Sequence, residues 1–395
     1  MAVDLDMVVG VVGAGAMGTG IAQVAAAAGH RVVLGDAHAD AVLRARTSIA
    51  NALAREVSKG RIDGATADQT LGRIVNGGDL AMGYGAFSEC AIVIEAVAEV
   101  LPVKVTLFRE LEKEVRDDCV LGTNTSSLSV AAIAGACRVP GRVIGIHFFN
   151  PAAVMPLVEL IPAIITDGGL AERMRTLIQG WNKTTVIAAD TPGFIVNRVA
   201  RPFYGESLRM LEEGIADAPT IDWAMRELGG FRMGPFELMD FIGNDINFAV
   251  TQSVYEGFFF DPRYRPALTQ RRLVDAGLWG RKRDRGYYDY RDGAERPEPT
   301  RDAALGREIL ERVLAMLVNE AVDAVYMRVA SAIDIETAMT KGVNYPKGLL
   351  AWGDEIGPVR ILEILEQLHA DYGDDRYRAS MLLRRRVREG RSLLG

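Results

Sequence analysis

Short apolar runs alternate with amphipathic stretches through the first half of the chain. Met7 to Val12, Arg31 to Leu34, Cys90 to Ala96, Cys119 to Gly122, Val143 to Ile146 and Thr185 to Ala188 are rich in Val, Ile and Leu. That is the pattern of strands buried on both faces. Thr19 to Ala28, Ala39 to Lys59, Ala67 to Val75, Pro102 to Val115 and Leu170 to Gly180 read as helices between them. The alternation over residues 7–188 predicts a doubly wound sheet. The runs on either side of Asn150-Pro151, Val143 to Ile146 and Pro156 to Ile161, predict an antiparallel ending. From Asp190 onward strand signals largely disappear. Thr191 as a cap and Pro192 in the first turn predict a helix over Phe194 to Glu213. The expected fold is therefore an α/β domain followed by an all-α region.

The helical region repeats itself. Ala224-Met225 recurs as Ala338-Met339, Gly234 as Gly348, Asp240 as Asp354 and Ile242-Gly243 as Ile356-Gly357, all at an offset of 114 residues. By context Ile195-Val196-Asn197 pairs with Leu317-Val318-Asn319 at an offset of 122, which makes the second copy shorter there. Arg291 to Arg301, rich in Pro and charge, reads as the linker. The expected domains are 1–189, with a helical arm at 39–75, then 190–290 and 302–395. The second copy is expected to pack on the first as an intrachain pseudo-dimer, Ile309 to Val329 and Pro358 to Gln367 supplying its apolar face. The whole is then a monomer or a homodimer.

Composition narrows the function. A net charge of -7 and a pI near 5.4 argue against a nucleic-acid partner. Cys90, Cys119 and Cys137 have no metal-ligand spacing, and their odd number suits a reducing cytoplasm. Asp4 and Asp6 stand where a signal peptide would carry Lys or Arg. No apolar run approaches the length of a bilayer span.

The chemistry begins at Gly13-Ala14-Gly15-Ala16-Met17-Gly18, between a strand and a helix. Gly13 permits the tight turn, Gly15 admits a pyrophosphate near the backbone, and Gly18 lets helix and strand pack closely. Asp36, at the end of the next strand, stands where a ribose-binding acid belongs. This predicts a Rossmann-type dinucleotide domain, and the carboxylate favours NAD over NADP because it would repel a 2′-phosphate. His147 ends one apolar run, and Glu159, twelve residues on, sits inside the next. An acid in such a run needs a partner. Ser126 lies among Thr123-Asn124-Thr125-Ser126-Ser127 at a strand's C-terminal end, where ligands bind in α/β sheets; it is either a substrate contact or the cap of the helix Val130 to Ala134. Asn197 satisfies a helix contact or points into a site. Arg201, four residues further on the same helix face, is a candidate for holding a substrate carboxylate or a partner in an ion pair. Residues 39–75 are a lid, a substrate arm or a solvated hairpin.

With these residues together the chain resembles the 3-hydroxyacyl-CoA dehydrogenase family over nearly its whole length. The likeness rests on the glycine motif, Asn124-Thr125-Ser126-Ser127, His147-Phe148-Phe149-Asn150-Pro151 and Pro192-Gly193-Phe194-Ile195-Val196-Asn197-Arg198. Asn244-Asp245-Ile246-Asn247-Phe248 and Val343-Asn344-Tyr345-Pro346 resemble the hydroxyadipyl-CoA branch of phenylacetate breakdown, although the longer spacer usual there is missing. The resemblance implies oxidation of an (S)-3-hydroxyacyl-CoA by NAD, in that branch or on a substrate such as 3-hydroxybutyryl-CoA. It implies His147 as base, Glu159 as its partner, and Ser126 and Asn197 as substrate contacts. Glu99, Lys104, Asn150 and Lys282 match cofactor contacts, and Lys59 matches a lysine that meets CoA phosphates. The family's serine on the same arm is Ala52 here, which leaves that contact without its hydroxyl. Three rivals stand beside this reading. They are a dehydrogenase of a free hydroxy acid, a non-catalytic NAD-binding protein, and a 6-phosphogluconate-type enzyme, which would need a helix-borne lysine base.

Overall fold

The eight strands are β1 (Val8–Val12), β2 (Arg31–Asp36), β3 (Ile74–Asp79), β4 (Ile92–Glu95), β5 (Val120–Thr123), β6 (Val143–Phe148), β7 (Leu157–Pro162) and β8 (Thr184–Ile187). They form one sheet in the order β3-β2-β1-β4-β5-β6-β7-β8. The first six are parallel and wind outward in both directions from β1 and β4. Strand order reverses there, so a crevice opens at the carboxyl ends of β1 and β4. β7 runs antiparallel to β6, and β8 parallel to β7. The helices of this half are α1 (Ala16–Ala27), α2 (Ala39–Ser58), α3 (Gly64–Gly72), α4 (Leu101–Glu114), α5 (Val130–Ala134) and α6 (Leu170–Gly180). Val9, Val11, Val32, Leu34, Ile92, Ile94, Ile144 and Ile146 alternate toward one face and are buried under α1, α2 and α6. The structure, a computed structural model, describes residues 7–80 and 83–395. Asp4 and Asp6 lie outside these. The chain divides into two compact units, Met1–Thr191 and Pro192–Gly395.

Two local expectations are corrected. The helix expected over Ala67 to Val75 stops at Gly72, and Ile74-Val75 opens β3, the edge strand. Only Ile74 and Gly77 of β3 are buried, and Asn76-Gly77-Gly78 gives no alternating apolar signal. His30, in the turn between α1 and β2, is fully buried with its ring 5.7 Å from that of Trp181. The helix expected over Phe194 to Glu213 starts later and is broken. Phe194 has a φ of 48°, α7 (Val196–Val199) follows, and α8 (Arg201–Glu212) begins after Ala200. Pro202 in the first turn of α8 has no N–H to carry the ladder across that junction.

The second unit continues with α9 (Ala218–Trp223), α10 (Pro235–Ile242), α11 (Asn244–Gly257), α12 (Leu268–Asp275), α13 (Ala303–Tyr326), α14 (Ala332–Gly342), α15 (Leu349–Ile356), α16 (Pro358–Tyr372) and α17 (Met381–Glu389). The repeat is visible atom by atom. Asp222 accepts from the Phe236 and Glu237 amides, and Glu336 accepts from those of Leu350 and Ala351. Gly243 and Gly357, at the joints after α10 and α15, have φ of 102° and 103°.

α8 and α13 pack together about a pseudo-two-fold axis. Glu320, fully buried on α13, accepts from Arg198 Nε at 2.6 Å, Arg263 Nη1 at 3.2 Å and Tyr264 Oη at 2.6 Å, all from the first copy. Glu206 on α8 accepts from Arg312 Nε at 3.1 Å, Arg376 Nη1 at 3.0 Å and Tyr377 Oη at 3.0 Å, all from the second. The two clusters are the same contact made twice, the signature of an isologous interface. This register also corrects the pairing of Asn197 with Asn319. Arg198 matches Arg312 and Glu206 matches Glu320, so the offset stays at 114 and Asn197 corresponds to Glu311. Asn319 is instead a buried brace that donates to the Arg378 carbonyl and accepts from the Ser380 amide. α16, expected to supply apolar face, buries only Ile361 and Leu365; α13 supplies most of it.

Candidate active site

The turn after β6 folds β7 back so that His147 and Glu159 face each other directly across the antiparallel pair. That register turns a separation of twelve residues into a side-chain contact. His147 Nδ1 lies 2.7 Å from Glu159 Oε2, with 5% and 0% of the two residues exposed. The His147 ring sits 4.5 Å from that of Phe149. Asn150 is exposed on the turn.

The loop after β5 is organised by Glu99. Its Oε1 accepts from Thr125 Oγ1 at 2.7 Å, from the Ser126 and Ser127 amides at 2.7 and 3.1 Å, and from both serine hydroxyls at 3.2 Å. Burial opposes charge on Glu99, but Lys104 and these hydrogen bonds outweigh it and hold the carboxyl below the ordinary range. The cap of α5 is Ser129, which accepts from the Ala132 amide, and not Ser126. Asn124 Oδ1 accepts from the Phe148 amide at 2.8 Å, which ties this loop to the residue after His147.

Glu95 was not anticipated. Fully buried at the end of β4, it takes Lys104 Nζ at 2.5 Å and Thr123 Oγ1 at 2.7 Å. Lys104 is itself only 1% exposed and lies 3.3 Å from Glu99. Its ammonium is held between the carboxylates of Glu95 and Glu99. An acid closing an apolar strand, with a lysine in the next helix, was the available signal.

A dinucleotide fits the turn between β1 and α1. Gly13 has a φ of 101°, and a Cβ on Gly18 would stand 1.7 Å from the Gly13 carbonyl oxygen. A Cβ on Gly15 would meet nothing within 4 Å, so that side of the turn is open to a ligand. Asp36 Oδ2 accepts from the Ala14 amide at 2.7 Å, and Oδ1 from the His38 amide at 2.9 Å. Gly13, Gly15, Asp36, His38, Ala96 and Val97 line one cavity of about 790 Å³.

Lys59 ends α2 half-exposed, its Nζ 3.6 Å from Glu56, and Ala52 is partly buried on the same helix. In the second unit Asn197 is half-buried on α7 and Arg201 is buried at the start of α8. Lys282 Nζ lies 2.6 Å from Asp245 Oδ1. Burial pushes the thiols of Cys90 and Cys119 up to about 12 and that of Cys137 to about 11, so none is a ready nucleophile. Among the described residues no cluster of His, Cys, Asp or Glu is arranged to hold a metal ion, and no helix is long and apolar enough to cross a membrane.

Comparison with known proteins gives a consistent result. Residues 8–191 match the NAD binding domain of 3-hydroxyacyl-CoA dehydrogenase, and residues 193–290 and 309–393 each match its C-terminal domain. A 3-hydroxyadipyl-CoA dehydrogenase of Escherichia coli K12 is 38% identical over 464 aligned positions, covering 96% of this chain and 97% of the relative. A 3-hydroxybutyryl-CoA dehydrogenase of Bradyrhizobium diazoefficiens is 41% identical, covering 74% of this chain and 98% of its own. The crystal structure of a 3-hydroxybutyryl-CoA dehydrogenase from Escherichia coli K12 superposes with a TM-score of 0.91 at 36% identity, covering 97% of this chain and 98% of that one.

Proposed function

Because the chain belongs to the 3-hydroxyacyl-CoA dehydrogenase family, we propose that it oxidises (S)-3-hydroxyacyl-CoA thioesters to 3-oxoacyl-CoA with NAD, using His147 as the base. The observation that carries this reading is the buried 2.7 Å contact between His147 and Glu159. Oxidising a secondary alcohol requires removal of its hydroxyl proton. With Nδ1 held by Glu159, Nε2 is the nitrogen that takes that proton, and the carboxylate stabilises the imidazolium that results. Gly13, Gly15, Gly18 and Asp36 would hold NAD, which supplies the hydride acceptor. Glu99, kept ionised, sets the position of Ser126, whose hydroxyl holds the substrate oxygen; Asn197 is the second substrate contact. Lys59 on its helical arm favours a CoA thioester over a free hydroxy acid. Asn150 and Lys282 are cofactor contacts in this reading. The protein works in the cytoplasm, as a monomer whose two helical copies replace a dimer interface or as a homodimer of such chains.

The test is NADH oxidation with acetoacetyl-CoA beside acetoacetate. Turnover of the thioester at least tenfold above that of the free acid is expected; equal turnover would favour the free hydroxy acid. In the same assay NADH should be preferred over NADPH by about tenfold, the effect of a kcal/mol or two of repulsion at Asp36 in a partly solvated site. Equal kcat/KM for the two would remove Asp36 from this role.

A further inference from the structure

Six arginines are buried among the described residues. Arg142 faces Glu112, Arg198 and Arg263 face Glu320, and Arg312 and Arg376 face Glu206. Arg201 differs. It is only 7% exposed, yet no carboxylate of the described residues lies within ion-pair distance of it. Its Nη1 donates to Thr251 Oγ1 at 3.0 Å, and its guanidinium lies 4.9 Å from the Tyr204 ring centre. Its Nε has no hydrogen-bond partner, and neither does the buried hydroxyl of Tyr345, which lies near enough to interact with the guanidinium charge.

A guanidinium cannot shed its proton to escape burial. Tyr204 and Thr251 compensate it only in part, because a ring face and a hydroxyl carry no net charge. The internal repeat shows that the fold does not demand this charge. At the matching places of the second copy Arg201 becomes Ala315, Tyr204 becomes Val318 and Thr251 becomes Leu365. Tyr345 itself matches Phe231, and the two rings meet at 5.0 Å. One side of the pseudo-two-fold is thus filled by apolar side chains. The other, in the same backbone, carries a buried cation and two hydroxyls.

We propose that Arg201, Thr251 and Tyr345 bind a carboxylate at the far end of the acyl chain, so that the preferred substrate is a dicarboxylyl-CoA thioester. This rests on the reading of the chain as a 3-hydroxyacyl-CoA dehydrogenase. Arg201 stands four residues beyond Asn197, across the short joint between α7 and α8. A six-carbon diacid extends three carbons past the C3 that Asn197 helps to hold, and its carboxylate then falls within reach of a side chain as long as arginine. The fork of the guanidinium matches a carboxylate in two hydrogen bonds, one of them from the unpartnered Nε. The second helical copy then has a part in the site, since it contributes Tyr345.

The experiment compares 3-hydroxyadipyl-CoA with 3-hydroxyhexanoyl-CoA, which has the same length and no terminal carboxylate. The wild-type protein should favour the diacid at least about tenfold in kcat/KM, and preference for the monoacid would overturn the site. Arg201→Met, which preserves volume, should lower kcat/KM for the diacid by about 100-fold, chiefly through KM, and leave or improve that for the monoacid. Tyr345→Phe places in the second copy the residue its counterpart already has, so folding is preserved. It should raise KM several-fold for the diacid alone. Equal losses on both substrates for both variants would make these residues structural and overturn the proposal. Turnover of both thioesters without preference would remove the carboxylate site but leave the dehydrogenase reading standing; no turnover of either by the wild-type protein would overturn both.

Discussion

Replacing His147 by alanine lowers kcat by at least about 100-fold, the usual contribution of a positioned acid-base group, while NADH binding stays within a factor of about two. The two effects separate because His147 sits on β6, whereas the glycine turn and Asp36 belong to β1, α1 and β2. Glu159→Gln is impaired less. Glutamine can still occupy the place opposite His147, but it cannot stabilise an imidazolium as an ion does. Steady-state turnover and NADH fluorescence titration measure the two quantities. A His147→Ala protein that keeps near wild-type turnover would put the base elsewhere.

The second large effect is on stability. Glu320→Ala lowers the stability of the second unit by about 3–5 kcal/mol, the cost of leaving buried charges without their partner. Arg198, Arg263 and Tyr264 all donate to this one carboxylate. The exposed pair Lys347–Glu355 serves as the control, and Glu355→Ala should change stability by less than about 1 kcal/mol. Burial alone would raise the Glu320 carboxyl, but Arg198 and Arg263 outweigh it and hold it below its ordinary range. A depressed folded value contributes stability that is complete above the unfolded carboxylate range. That stability is lost as pH falls toward the folded value. Acid should therefore weaken the wild-type unit more steeply than Glu320→Gln. Denaturant unfolding at several pH values tests both statements, and a Glu320→Ala protein as stable as wild type would contradict them.

Much of this was legible in the chain because the relevant signals are local. The glycine turn, Asp36 at the end of β2, and the apolar runs of β1, β4, β5 and β6 each declare themselves within a few residues. The His147–Glu159 pair was legible because one short turn joins their strands. What was missed depends on contacts distant in sequence. β3 is an edge strand with one covered face, so it shows no apolar alternation. Glu95 looked like the end of a strand, and only the return of α4 with Lys104 explains its burial. The register of the repeat is ambiguous in sequence at Asn197 and Asn319, because similar apolar flanks sit two helical turns apart on α13. The arginine–glutamate clusters that fix the register join residues 57 and 122 positions apart. Arg201 was singled out by its spacing from Asn197, but its want of a carboxylate emerges only from folded neighbours.

The central claim is tested most directly with (S)-3-hydroxybutyryl-CoA carrying deuterium at C3, incubated with the wild-type protein and NAD. Mass analysis of the recovered NADH should find the label on the reduced nicotinamide, in equal amount to the 3-oxoacyl-CoA formed, and His147→Ala should slow its appearance at least about 100-fold. Label retained in the thioester or lost to water, with unlabelled NADH or none, would contradict the account.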